Sequence, residues 1–154
     1  MLKKRFYYLV KVQFLGYRFH GWQKQPNTKT VHLMIDRTLN FILGDQSFKT
    51  LGAGRTDAMV SASEAAFELF LDQKPLESIP EFLILFNHNL PQDIRAVSIE
   101  EVDAEFNIIQ DSKLKEYHYV FAHGDKFHPF AAPILTTILE PLDIEIMKSG
   151  AQLF

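Results

Sequence analysis

Cysteine is absent from the 154 residues. That one absence excludes a disulfide framework, thiolate zinc, iron–sulfur clusters and a cysteine nucleophile together, and it fits a reducing, cytoplasmic compartment. Long hydrophobic runs are also missing, since no stretch approaches the ~18 apolar residues that a membrane helix needs. Lys3, Lys4 and Arg5 before the apolar run Phe6–Val10 imitate the start of a secretion signal, but Lys11 ends that run too early. The chain therefore reads as soluble and unprocessed, with no internal repeat, low-complexity tract or linker.

What is present is ordinary for a globular domain: 47% hydrophobic and 23% charged residues. A chain of this length buries roughly 70% of its unfolded surface and needs no covalent staples. Its formal charge of −3 conceals an asymmetry. Residues 1–60 carry ten Lys/Arg against three acids, a local balance of +7, whereas residues 61–154 carry six against sixteen, a balance of −10. Such a division fits one face meeting a polyanion while the remainder maintains solubility, or positive and negative segments pairing within the fold.

Residues 5–15 combine aromatic and β-branched positions with polar interruptions at Lys11 and Gln13, the pattern of a strand. Residues 16–30 read as a long loop. Helical spacing of Val31, Met34, Ile35, Leu39, Ile42 and Leu43, with Thr30 as N-cap and Gly44 as stop, predicts a helix over 31–43. Strands are expected at 47–52, 65–71, 94–99, 114–122 and 134–139, with helices at 79–86 and from Leu142 onward. This order predicts an α+β fold of ferredoxin-like, RRM-like β-α-β-β-α-β type, helices packed on one face of a mostly antiparallel sheet. The last helix is expected to reach Phe154 without a stop, as in a fragment of a longer protein.

The most informative segment is Gly52-Ala-Gly-Arg-Thr-Asp-Ala58. Its glycines admit close approach to a ligand. Arg55 and Asp57, two apart, fall on one side of extended backbone, where a guanidinium would hold the carboxylate ionised and suited to nucleophilic or electrostatic work. A dinucleotide fingerprint fails because Asp57 stands where its last glycine belongs, and a phosphate-cradling Gly-Lys-Ser/Thr ending is absent. A tight turn with one surface ion pair is the plainer reading. The basic first loop adds Phe19-His-Gly-Trp-Gln23 between Arg18 and Lys24. Aromatic rings among cations suit unstacked bases and phosphates, although Phe19 and Trp22 as core residues would be equally ordinary.

Taken with Asn87-His-Asn-Leu-Pro91 and Lys115-Glu-Tyr-His-Tyr119, these segments resemble the TruA family of tRNA pseudouridine synthases, from about Tyr8 to the C-terminus. The resemblance implies isomerisation of uridine to pseudouridine in the tRNA anticodon stem-loop, positions 38 to 40, without cofactor or metal. It implies an aspartate nucleophile at Asp57, its arginine partner at Arg55 and the active-site tyrosine at Tyr117. RNA contacts are then expected from Arg18, Phe19, His20, Trp22, Gln23, Lys24, Asn87 and Asn89. Family members act as homodimers built from two similar halves. On that basis residues 1–110 form the N-terminal catalytic half, and 111–154 the opening of the second half.

The chain also departs from the family pattern. Leu15 stands in place of an acid, Met59 of a glycine, Ser61 of a histidine and Ile109 of an arginine, while Glu64 occupies a common glutamine position. These departures define the alternative, a non-catalytic relative binding RNA or a protein. Histidines 118, 123 and 128 are spaced for neither one helix face nor one strand face, so they do not form a metal site.

Overall fold

The computed structural model describes residues 4–154. The chain divides into two compact units, one extending to Lys115 and the other from Glu116 to Phe154. In the first unit the elements run β1 (Arg5–Phe14), α1 (Val31–Leu43), β2 (Phe48–Gly52), β3 (Ala62–Asp72), α2 (Ile79–Asn89), β4 (Ile94–Val102) and a short α3 (Ile108–Asp111). The sheet order is β2-β3-β1-β4, with every neighbouring pair antiparallel. This is the expected α+β, ferredoxin-like arrangement.

Period-two alternation sends Tyr8, Val10, Val12 and Phe14 of β1 to one face. There they meet Phe67, Leu69 and Leu71 of β3, Ile94, Ala96 and Ile99 of β4, and the helices. Helix α1 contributes Val31, Ile35 and Leu39, which lie on one stripe at 3.6 residues per turn. The Thr30 side chain accepts from the Leu33 N–H at 3.3 Å to open that helix, and Gly44 at φ 59 closes it. Ser78 caps α2 in the same way, with Pro80 in the first turn, where its missing N–H costs nothing. Burying each large side chain of this core contributes roughly 1.5–3 kcal/mol against conformational entropy.

Helix α2 continues three residues past the expected end at Phe86. The reason lies in Asn87, whose amide donates to the Leu83 and Ala96 carbonyls at 3.1 and 2.9 Å and accepts from the Ala96 N–H at 2.8 Å. The side chain thus joins the helix to β4. On the sheet face away from α1 and α2, β3 places Glu68, only 1% exposed, beneath α3. The Ile108 N–H points to its Oε2 at 3.5 Å, and Oε1 has no hydrogen-bond partner among the described residues.

The second unit holds β5 (Phe121–His123), β6 (Thr136–Ile138) and α4 (Ile144–Ala151), with β5 and β6 pairing in parallel. The strand expected over 114–122 is therefore only three residues long; its aromatic alternation is present, but residues 113–120 lie in no ladder. The final helix also stops, contrary to expectation: it ends at Ala151, and the Gln152 N–H donates to the Ser149 and Gly150 carbonyls. No helix among the described residues is long and apolar enough to cross a membrane.

The aspartate loop as candidate active site

Asp57 lies on the loop between β2 and β3, its side chain exposed to solvent. The loop is held by its backbone. The Ala53 N–H donates to the Ala66 carbonyl at 2.9 Å, the Trp22 N–H to the Thr56 carbonyl at 3.0 Å and the Met59 N–H to the Phe19 carbonyl at 3.0 Å. Two of these three bonds come from the first loop, so residues 16–30 and 52–60 form an interlocked pair. Glycines make the interlock possible. A Cβ on Gly16 would collide with the Val60 carbonyl, and one on Gly21, at φ 84, would fall 2.5 Å from the Thr56 carbonyl. Gly52 lies against the indole of Trp22, where an added Cβ would be 2.8 Å from Cε2.

This packing decides the roles of Phe19 and Trp22. They are 2% and 4% exposed, so their rings are support beneath the aspartate loop and not surface platforms for unstacked bases. The expectation that they contact RNA is corrected accordingly. His20 and Gln23, between and beside them, are exposed. Arg18 points to Asp93, with Nε and Nη2 at 2.9 and 2.8 Å from Oδ2, which fastens the first loop to the start of β4. Lys24 pairs with Asp36 of α1. Asn87 spends its whole amide on the α2–β4 join described above, while Asn89 is exposed and donates to the Leu85 carbonyl at 2.8 Å.

The expected Arg55–Asp57 pair is a second correction. Both side chains are exposed, and among the described residues neither forms an ion pair or a side-chain hydrogen bond. Solvation outweighs a surface Coulomb attraction worth at most about 1 kcal/mol. The loop instead receives a cation that sequence reasoning did not single out: Lys115 Nζ lies 3.5 Å from the position a Cβ on Gly54 would take. The departures from the family pattern acquire structural meaning too. Met59 sits at φ 67, the left-handed region that favours glycine, and Ser61 Oγ accepts the Gly16 N–H at 2.9 Å. Leu15 and Ile109 are 36% and 58% exposed.

In the second unit Tyr117 is 83% exposed and lies in a segment without regular structure. Each histidine there has a partner. His118 pairs with Glu116, His123 Nδ1 accepts the Leu142 N–H at 3.1 Å, and His128 Nδ1 accepts the Phe130 N–H at 3.2 Å.

Beneath the interlocked loops runs a polar network that the sequence reading also missed. His32 of α1 stacks on Trp22, with ring centroids 5.7 Å apart and planes at 26°. Its Nε2 lies 2.7 Å from Thr50 Oγ1, and that hydroxyl donates to Asp36 Oδ1 at 2.6 Å. Burial lowers the His32 pKa from its ordinary value, with Asp36 opposing and Lys24 reinforcing the shift. Helical i, i+4 spacing of His32 and Asp36 was the signal available in the sequence.

Curated proteins similar to this chain are named tRNA pseudouridine synthase A. That of Mesoplasma florum is 37% identical over 151 residues, covering 97% of this chain and 58% of the relative. Those of Dictyoglomus thermophilum and Aquifex aeolicus are each 31% identical, covering 94% and 92% of this chain and 59% and 58% of the relatives. The chain thus spans about three-fifths of the length of the curated relatives it matches. No family model matches it. An α+β sandwich of ferredoxin-like type, presenting an aspartate on a glycine-rich loop, is the class of domain described above. Along nearly its whole length the chain is similar to proteins named tRNA pseudouridine synthase A, in line with the TruA resemblance that its motifs carry.

Proposed function

We propose that the protein of which this chain is part isomerises uridine to pseudouridine in tRNA, at positions 38 to 40 of the anticodon stem-loop, with Asp57 as nucleophile. The observation that carries this reading is the presentation of Asp57: an exposed carboxylate on a loop anchored at Ala53, Thr56 and Met59 by backbone hydrogen bonds. Anchoring of this kind holds a nucleophile in a reactive geometry without obstructing it. Similarity to proteins named tRNA pseudouridine synthase A supports the substrate class.

In the proposed reaction the target uridine first leaves the helical stack, at a cost of a few kcal/mol. An Asp57 oxygen attacks C1′ of the ribose, and the N1–C1′ bond breaks with its electron pair remaining on the uracil ring. The ring rotates, C5 bonds to C1′ and the carboxylate departs. C5 then loses its proton and N1 acquires one. Atoms and electrons balance without an oxidant, a reductant or a co-substrate, so no cofactor enters. Arg55 occupies the space of the displaced base, and Tyr117 stacks on the uracil or assists removal of the C5 proton. His20, Gln23 and Asn89, exposed on the first unit, serve as RNA contacts. Residues 1–110 act as the catalytic half and 111–154 as the opening of the second half, in a cytoplasmic homodimer of the full-length protein.

Release of tritium from C5-labelled uridine in an anticodon stem-loop transcript tests this reading. The full-length gene product is expected to release label and to form pseudouridine by mass-shift detection. Asp57→Ala is expected to lose at least about 10⁴-fold in rate, as removal of a nucleophile does. Wild-type protein that forms no pseudouridine overturns the reading. It would favour the second one, a non-catalytic relative that binds RNA or a protein, to which Ile109 in place of an arginine already points.

A further inference from the structure

Three features lead from His32 to the aspartate loop. The first is hydrogen bonding. The Thr50 hydroxyl has one proton and gives it to Asp36 Oδ1, so His32 Nε2 must be the donor in its own bond to Thr50. The neutral imidazole is thereby held as the Nε2–H tautomer. Thr50 lies on β2 two residues before Gly52, at the point where the strand enters the aspartate loop. The second is stacking. The His32 ring covers one side of the Trp22 indole, Phe14 packs on it at 5.9 Å, and the indole edge abuts Gly52. The third is the backbone. The Trp22 carbonyl accepts the His32 N–H at 3.0 Å, while the Trp22 N–H donates to Thr56, the residue before Asp57.

We propose that His32 is a positioning residue, which sets the Gly52–Ala58 loop through Thr50 and through the stacked ring of Trp22. The proposal deepens the synthase reading and rests on it only for the consequence in turnover. His32 touches no reacting atom; its effect reaches Asp57 through the indole and the Trp22–Thr56 bond. The charged groups around the network are Asp36 on its own helix and Lys24 of the first loop, which with Thr50 line an open polar cavity of about 510 Å³; the ammonium of Lys49, next to Thr50 on β2, lies over the Phe70 ring on the other face of the sheet. A second proton on His32 adds positive charge beside Lys24 and the indole, opposed by Asp36. Acidification is therefore expected to disturb Trp22 and, with it, the loop.

Trp22 is the sole tryptophan of the chain, so its fluorescence reads the contact directly. In the full 154-residue chain, emission is expected to fall on acidification with a midpoint below 6.5, as an imidazolium stacked on the indole quenches it. His32→Gln, whose amide still donates to Thr50, should abolish that titration while circular dichroism stays unchanged. Persistence of the titration in this variant, or a flat wild-type curve, overturns the proposal.

Hydrogen exchange supplies the readout on the loop. Amides of Trp22, Ala53 and Met59 are expected to exchange about tenfold faster in His32→Ala and near the wild-type rate in His32→Gln. Unchanged exchange in His32→Ala overturns the proposal; should that variant fail to fold, Thr50→Val takes its place in the comparison. In the full-length enzyme, His32→Ala should lower kcat about tenfold with KM little altered, and His32→Gln should restore most of it. A change in KM alone, or no rescue, overturns the positioning role. A wild type without any turnover overturns the synthase reading instead, and the fluorescence and exchange results then decide the proposal on their own.

Discussion

Met59 holds the left-handed conformation at φ 67 with a side chain that glycine would not carry. For an L-residue this conformation costs roughly 1–2 kcal/mol, part of which glycine would return as unfolded-state entropy. Met59→Gly is therefore expected to raise stability by about 0.5–1 kcal/mol in urea unfolding. Gly16 should behave in the opposite way. A methyl group there meets the Val60 carbonyl, backbone that cannot rotate aside, and Gly16→Ala is expected to destabilise by about 2 kcal/mol or more. A neutral result at Gly16 would mean that the two loops do not interlock as described. Both residues sit where the first loop touches the aspartate loop, so any change in loop geometry should also appear in the proposed activity.

At the level of elements, the sheet and its two principal helices arise from signals that are local in the chain. Alternation in β1, the 3.6-residue stripe of α1 and the cap at Thr30 were all legible, because each depends on neighbours within a few residues. The extension of α2 to Asn89 was not, since it depends on Asn87 reaching Ala96 on another element. Removing that amide leaves the Ala96 N–H and carbonyl without their side-chain partner. Asn87→Ala is accordingly expected to cost about 2–3 kcal/mol in denaturant unfolding, and a loss below about 0.5 kcal/mol would show that the join matters little. The strand expected over 114–122 shrank to Phe121–His123 for the converse reason: alternation marks a segment able to pair, but a ladder requires a neighbour.

For the molecule as a whole, pH acts through the buried Glu68 and the half-buried His32, with opposite sign. Burial raises the Glu68 pKa from its ordinary value, with the Ile108 N–H opposing and Asp111 adding to the rise. The unfolded chain then ionises Glu68 at lower pH than the folded chain does. Its contribution is fully present below the unfolded value near 4.5 and is lost as pH rises through the folded value. His32 has its pKa lowered, so stability is lost as pH falls below 6.5 toward the folded value. Glu68→Gln removes the first effect, and a gain of about 1 kcal/mol at pH 7, vanishing below pH 4, is expected from thermal unfolding across pH. A gain that persists at pH 3.5 would assign the effect to packing and not to ionisation.

The absence of cysteine, the basic first 60 residues, the order of elements and the family resemblance were all readable in the chain alone, because composition, periodicity and motif are properties of residues close in sequence. The loop Gly52–Ala58 was recognisable in the same way, as a motif. What its residues and its neighbours do there depended on contacts across the fold. Phe19 and Trp22 could have been a surface platform or a buried support, and only the packing of the first loop against the second put them inside, at 2% and 4% exposure. Arg55 and Asp57 are two residues apart yet unpaired, since solvent competes successfully for two exposed charges. His32, Thr50 and Asp36 carry no motif at all. Helical spacing relates His32 to Asp36, but Thr50 joins them only because α1 lies against β2, a contact that the sequence does not announce.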